Sequence, residues 1–544
     1  MKRLYFLLIT ALLYTGALAQ LPKHEVRAVW LTTIGGIDWP TSHHAATQKK
    51  ELQQILDQLK SAGINTVLLQ TRVRGTVIYP SDMEPWDACI TGTPGRDPGY
   101  DPLQFAIDEC HRRGMELHAW VVTIPVGKWN KAGCAALRKK QPKLIRKIGD
   151  DGFMTPEMPQ TADYLAKICS EITSRYDVDG IHLDYIRYPE TWRIKVPREQ
   201  GRKNITRIVE AINYAVKRQK PWVKLSCSPI GKYDDLLRYR SGGWNARTAV
   251  CQDAQAWMRR GLMDALYPMM YFRNNQFFPF AIDWQEQSYG RMIVPGLGIY
   301  FLDPHEGNWT LADVQRQMNV ARSLGLGHCY FRSRFFTNNT KGILDFARSF
   351  DATPALIPPM TWAGKQPPSA PATLTLDGHT LSWSGAKDNS GGPYLLYNIY
   401  ASREHPVDTE DPRNLIAMRV ASNTLSVPAT PKMHYAVTAV DRYGQESHPC
   451  QLQGGDEDWR FWLTDDIIRS DGNTLTLPHK PSVLDAEYIF IETLQGRRIG
   501  TYLYNVKTLD VSPLPEGMFV LRSLSKKGNT HRIGFFCIRR QHRR

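Results

Sequence analysis

An acidic excess, paired cysteines and, past residue 20, long apolar runs are what this chain lacks. Its nine cysteines include no C-x-x-C pair, and that spacing suits neither a zinc framework nor a dense disulfide scaffold. Cys110 and Cys169 fall in helical runs and read as buried small hydrophobes, with room for one disulfide in an oxidising compartment. No G-x-G-x-x-G follows the first strand pattern, which argues against a dinucleotide site. No H-x-H or H-E-x-x-H pair supports a metal centre, so neither metal nor cofactor is expected. Asp and Glu number 53 against 68 Lys and Arg, a net charge of +15. Such a balance suits acidic glycans or anionic surfaces through steering, and it serves solubility equally well. Nucleic acid is not expected as a partner, because no recognition module or basic run interleaved with aromatics is read. Past the first twenty residues no segment could span a membrane. Those twenty combine Lys2 and Arg3, an apolar centre at 4–13 and Ala17-Leu18-Ala19, the pattern of a signal peptide over residues 1–19.

What is present is a repeat of short strand, loop and amphipathic helix. Strands are predicted at 26–33, 65–70, 115–122, 179–185, 223–228, 264–271, 292–299 and 327–332. Helices fall between them, at 49–61, 102–113, 161–176, 202–218, 246–260, 311–323 and 341–350. Eight such units over residues 24–352 predict an α/β fold, a (β/α)8 TIM barrel. Residues 353–371, rich in Pro, Ala and Ser, read as a linker with few contacts across it. Strand and turn patterns then predict two small all-β sandwich domains. The first, at 372–453, carries Trp383, Tyr400 and Tyr435 and resembles a fibronectin type III module; the second lies at 457–544.

In a barrel the chemistry sits where strands end. The run from Asp177 to Pro189 places Gly180, His182 and Asp184 on one face of the fourth strand and Ile181, Leu183 and Tyr185 on the other. Asp184 is the leading candidate for a catalytic carboxyl. Asp303 and Glu306, after the seventh strand, are candidates for its partner, with Glu157 and Asp38 behind. Asp38, Trp39, Arg72, His118, Trp120, His182, Arg187, Tyr271 and Tyr300 are candidate substrate-binding residues. Aromatic rings stack on sugar faces while charged groups orient hydroxyls, so the inventory suits a glycan.

The segments Glu25-Val26-Arg27-Ala28-Val29-Trp30-Leu31, Ile37-Asp38-Trp39-Pro40, Glu84-Pro85-Trp86, Pro98-Gly99-Tyr100-Asp101-Pro102-Leu103 and Val178 to Pro189 resemble the glycosyl hydrolase-like family 10 proteins. The similarity is read from about Glu25 to Phe350. It implies an exported bacterial glycoside hydrolase, periplasmic, surface-bound or extracellular, with peptidoglycan strands among the substrates. Three places depart from the family's commoner pattern: Thr76 after Arg74-Gly75, Val122-Thr123-Ile124-Pro125, and Tyr185 after Asp184. The rival expectations are a surface protein that binds carbohydrate without cutting it, and a metal-dependent deacetylase using His118, His182 and Asp184.

Overall fold

A computed structural model describes residues 21–544 apart from 240–243, 429, 431–432, 453–473, 478–485, 494–497, 504–506, 516, 526–529 and 539–544. The signal-like residues 1–19 lie outside the described residues. Two compact units emerge, Met1–Leu452 and Gln453–Arg544.

The first unit is built on eight parallel strands: Arg27–Leu31, Thr66–Arg72, Glu116–Val122, Gly180–Asp184, Lys224–Cys227, Ala265–Leu266, a split seventh strand, and His328–Tyr330. The seventh closes the barrel. Its first half, Met292–Ile293, pairs with the sixth strand, and its second half, Gly296–Leu297, pairs with the eighth. Helices alternate with the strands, at Ala45–Ser61, Pro102–Arg112, Pro159–Arg175, Arg198–Gln219, Ala254–Arg259, Phe278–Glu286, Leu311–Ser323 and Ile343–Phe350. The fold is the expected (β/α)8 barrel. Asp101 caps the second helix, its Oδ1 accepting from the amides of Leu103 and Gln104 at 3.0 and 3.1 Å. The third helix buries Tyr164, Leu165, Ile168 and Ile172 on one side, the face its periodicity predicts.

Local departures have local causes. The helix expected at 246–260 is split into Ala246–Ala249 and Ala254–Arg259, with Cys251 between them at a φ of +59°. Helix Phe278–Glu286 is not anticipated, because Phe-Pro-Phe-Ala-Ile-Asp-Trp is apolar on too many sides to show a helical period. Between the third strand and third helix the chain also makes an unforeseen three-stranded antiparallel sheet, Pro125–Lys128, Ile145–Ile148 and Asp151–Met154.

After the barrel, strands of three (Thr373–Asp377, Thr380–Ser384, Thr424–Ser426) and four (Leu415–Val420, Leu396–Ser402, His434–Val440, Cys450–Gln451) form two antiparallel sheets. The expectation of few contacts across residues 353–371 does not hold. Met360 and Tyr443 are buried in the same apolar cluster as the inward barrel residues Trp30, Leu68 and Tyr267. Arg419 reaches Glu116 at 3.0 Å and is ion-paired with Asp179, while Arg442 meets Asp177 at 2.6 Å. Gly114 shows how close the approach is: a Cβ there would lie 2.5 Å from the Met418 carbonyl oxygen. Glu116 and Lys224 begin their strands and Asp179 directly precedes one, so the sandwich seals the end of the barrel opposite the mouth.

The second unit holds an antiparallel pair, Thr474–Thr476 with Thr508–Asp510, and a four-stranded sheet ordered Arg498–Leu503, Ala486–Thr493, Gly517–Ser525, Thr530–Ile538. Leu475, Ile489, Ile491 and Leu521 form its core.

Candidate active site

The fourth strand sets the level of every group around the site. Its neighbours pair His118 with Gly180, Trp120 with His182, Val122 with Asp184, and His182 with Ser226. Ile181 and Leu183 pack outward in the large apolar core, so Gly180, His182 and Asp184 point inward at successive levels.

At the lowest level His118 bonds Glu116 at 3.0 Å, and Glu116 also takes Lys224 at 2.7 Å. One level up, His182 accepts from the Trp30 indole at 3.2 Å and lies 3.0 Å from the Ser226 hydroxyl. Burial, reinforced by nearby His118, holds the His182 pKa well below the usual imidazole value, so the ring is neutral. Both histidines are buried beneath the mouth, and their polar contacts are made inside the barrel. The metal alternative loses its geometry as well, since His118, His182 and Asp184 are engaged with different partners on different levels.

At the mouth Asp184 is held from three sides. Trp120 Nε1 donates to Oδ2 at 3.2 Å, while Ser228 Oγ and the Tyr185 amide donate to Oδ1 at 2.8 and 2.7 Å. An indole and a backbone amide can only donate, so this carboxyl is used as an acceptor. Arg187 Nη1 lies 3.8 Å from Oδ1, and its guanidinium stacks 4.1 Å from the Tyr185 ring centre. Tyr185 adopts a φ of +54°, unusual for a bulky residue and located beside the candidate carboxyl. The Asp184 carbonyl is itself tied down, accepting from the Thr123 amide at 2.9 Å and hydroxyl at 2.8 Å.

Across the mouth stands an aromatic wall. Tyr271 stacks on Phe331 with centroids 5.3 Å apart, and Tyr300 meets both edge-on at 5.8 and 5.9 Å. Burial, with Asp184 among the neighbouring charges, holds the Tyr271 phenol well above its ordinary pKa, so it remains a donor. Burial and then Glu306 push Tyr300 up to about 12.

Several candidates lie elsewhere. Arg72 is fully buried and paired bidentately with Glu84 at 2.6 and 2.8 Å; it also donates to the carbonyls of Val122 and Thr123. The cause is a register shift after Gln70, which sets Arg72 opposite Val121 rather than Val122. One extra residue turns the side chain from the barrel interior to the outer layer. Trp39 is buried, its indole donating to the Gln48 carbonyl at 2.8 Å. Asp38 is buried and ion-paired with Arg332, and accepts from the Thr32 amide at 2.9 Å. Burial raises the Asp38 pKa although Arg332 opposes it. These three are buried and held by partners within the barrel, and Arg187 acts on Asp184 and Glu190 from a buried position.

Asp303 and Glu306 belong to the loop after the seventh strand. Asp303 Oδ1 takes the His305 amide at 2.9 Å, and Glu306 is exposed. No hydrogen bond or ion pair among the described residues joins either to Asp184. Glu157 reaches Arg146 at 3.7 Å, while its Oε2 is buried without a hydrogen-bond partner among the described residues. The residue missed outright is Ser228. It directly follows the fifth strand, at the same end of the barrel as Asp184, so reading that strand end for chemistry is the available signal.

The model of the family described as glycosyl hydrolase-like 10 matches residues 25–200 and 191–298, just over half of the chain, stopping before the eighth strand. Glycosyl hydrolase YngK of Bacillus subtilis strain 168 is 27% identical over 471 residues, 78% of this chain and 92% of that protein. Glycosyl hydrolase DigH of Escherichia coli K12 is 31% identical over 296 residues, 47% of this chain and 67% of that one. Among solved structures, alpha-L-fucosidase isoenzyme 2 from Paenibacillus thiaminolyticus aligns at a TM-score of 0.42 and 14% identity, covering 60% of this chain and 50% of that one. That last likeness carries no argument about chemistry. The family match rests on the barrel and on the segments that build its mouth, and by it the chain belongs to the glycosyl hydrolase-like 10 family.

Proposed function

We propose that the chain is a glycoside hydrolase that cuts a polysaccharide or peptidoglycan-type glycan at the barrel mouth. The observation that carries this reading is Asp184, a carboxyl pinned by Trp120, Ser228 and the Tyr185 amide and facing the wall of Tyr271, Tyr300 and Phe331. A carboxyl whose partners all donate suits the nucleophile or base of the two-carboxyl scheme. The proton donor to the leaving oxygen then comes from a rim loop, with Glu306, Asp303 and Glu157 as candidates. Arg187 and Trp120 orient Asp184, and the tyrosine rings carry the sugar faces. The signal-like residues 1–19 support an exported setting. The two-sheet arrangement at 373–451 supports the fibronectin type III-like reading, as a plug for the barrel and not a spacer.

Asp184→Asn should fold as the parent does and lose turnover by about 10²–10⁴-fold, measured as reducing ends released from peptide-stripped peptidoglycan strands and a panel of polysaccharides. A folded variant with near-parental rates removes Asp184 from the chemistry. Binding without cleavage is the second reading, favoured by the chain's departures from the family's commoner pattern at Thr76, at Val122-Thr123-Ile124-Pro125 and at Tyr185. Its signature is a parent that binds a glycan by calorimetry and releases no reducing ends from it.

A further inference from the structure

The unforeseen sheet between the third strand and third helix belongs to a longer excursion whose charge is one-sided. Residues 123–149 contain eight Lys and Arg and no Asp or Glu. Two of the eight have a carboxylate within 4.0 Å among the described residues, Lys128 with Asp151 at 3.0 Å and Arg146 with Glu157 at 3.7 Å. Lys139, Lys140, Lys143 and Lys147 are exposed. Lys139 and Lys140 end the helix Ala132–Lys140, which turns Cys134 and Leu137 inward and leaves its polar side to solvent, and Lys143 and Lys147 follow in the turn and strand directly after it.

Position makes the charge informative. The excursion leaves the mouth end of the third strand, and its first residue, Thr123, is bonded to the Asp184 carbonyl. Two tryptophans lie along it, far apart in sequence and so unrecognisable there as part of a basic run. Trp129 carries the Arg138 guanidinium 4.0 Å and the Lys147 ammonium 5.8 Å from its ring centre. Trp192, on the loop that follows the fourth strand, packs against Phe153 of the excursion at 5.8 Å and has Arg146 at 5.1 Å. Half-buried rings beside cations offer a sugar both a flat face and a partner for its acid group. A lipid surface fits less well. Interfacial helices sink an exposed apolar face into the bilayer, and none of the exposed large hydrophobic residues falls within 123–149.

We propose that this excursion is an exosite that takes a carboxylate-bearing glycan chain running outward from the barrel mouth. The proposal deepens the hydrolase reading and rests on it for the direction of the chain. Uncharged glycans should gain little there, whereas acidic chains should be held more tightly as they lengthen and released as salt screens the lysines.

The test uses the full chain with Asp184→Asn, so that binding is measured without turnover. Calorimetry with peptide-stripped peptidoglycan strands, polygalacturonate and a neutral chito-oligosaccharide is repeated after Lys139→Glu, Lys140→Glu, Lys143→Glu and Lys147→Glu are combined. A second set with glutamine at the same positions covers the case in which charge reversal disturbs folding. The expected result is a loss of about tenfold or more for at least one acidic chain and no change for the neutral one, with a weaker salt dependence left behind. Equal losses for acidic and neutral chains overturn the proposal, as does a parent that binds neither acidic chain. Vesicles of phosphatidylglycerol bound more tightly than either chain, and lost with the same lysines, would assign the patch to a lipid surface. A protein that holds acidic chains through these lysines and never cuts them with Asp184 intact refutes only the hydrolase reading.

Discussion

Replacing Arg72 with lysine separates a buried tie from a ligand contact. The guanidinium closes two bonds to Glu84 and two to strand-end carbonyls, a fork that an ammonium cannot reproduce. Breaking a buried pair costs about 3–5 kcal/mol, so Arg72→Lys should lower thermal stability markedly in a calorimetric scan. Carboxylate-bearing and neutral glycans should lose equal affinity, if they lose any. A selective loss of acidic-glycan binding in a variant of unchanged stability would restore Arg72 as a ligand residue. Trp120 should behave differently. Trp120→Phe removes one donor from Asp184 while filling most of the same space, so turnover should fall with little change in melting temperature.

The strand is the scale at which the sequence speaks most clearly, and also where it misleads. Seven of the eight barrel strands fall inside their predicted spans, because short apolar runs bounded by helix-ending glycines are a local signal, and the second runs on to Arg72, past its expected end at residue 70. Asp184 is legible for the same reason, as a carboxyl ending a strand. Arg72 is not, because the register shift beside it depends on pairing with a distant strand and leaves no local pattern. His118 and His182 have the composition of a site, yet depth within the barrel depends on strand stagger, which a single strand does not reveal. Gly180 illustrates the interstrand constraint. A Cβ at that position would lie 2.5 Å from His118 Nδ1, inside the packed centre of the barrel. Gly180→Ala should therefore cost about 1–3 kcal/mol through overpacking, read as a lowered denaturant midpoint. A midpoint unchanged from the parent would mean that the third and fourth strands can part without penalty.

For the whole molecule, the seal at the base of the barrel turns an expected spacer into part of the core. Cutting the chain after Ala355 would expose Trp30 and Tyr267 from below and strip Arg419 from Glu116 and Asp179. The truncated barrel should be insoluble or melt far earlier than the full chain. The same seal should respond to pH through His111 and Asp179, 2.8 Å apart. Burial alone would lower the His111 pKa, but Asp179 outweighs it and raises it above the ordinary 6.5. Burial alone would raise Asp179, but Arg419 and His111 outweigh it and hold it well below 3.8. A raised histidine contributes fully below its unfolded value and loses that contribution as pH rises through its folded one. A depressed carboxylate contributes fully above its unfolded value and loses that contribution only as pH falls through its folded one. Stability should therefore hold between the ordinary carboxylate and imidazole values and decline on the alkaline side first. His111→Gln should flatten that alkaline decline while leaving the acid limb in place, measured as melting temperature across pH. A parent and variant with parallel profiles would assign the alkaline response to another group.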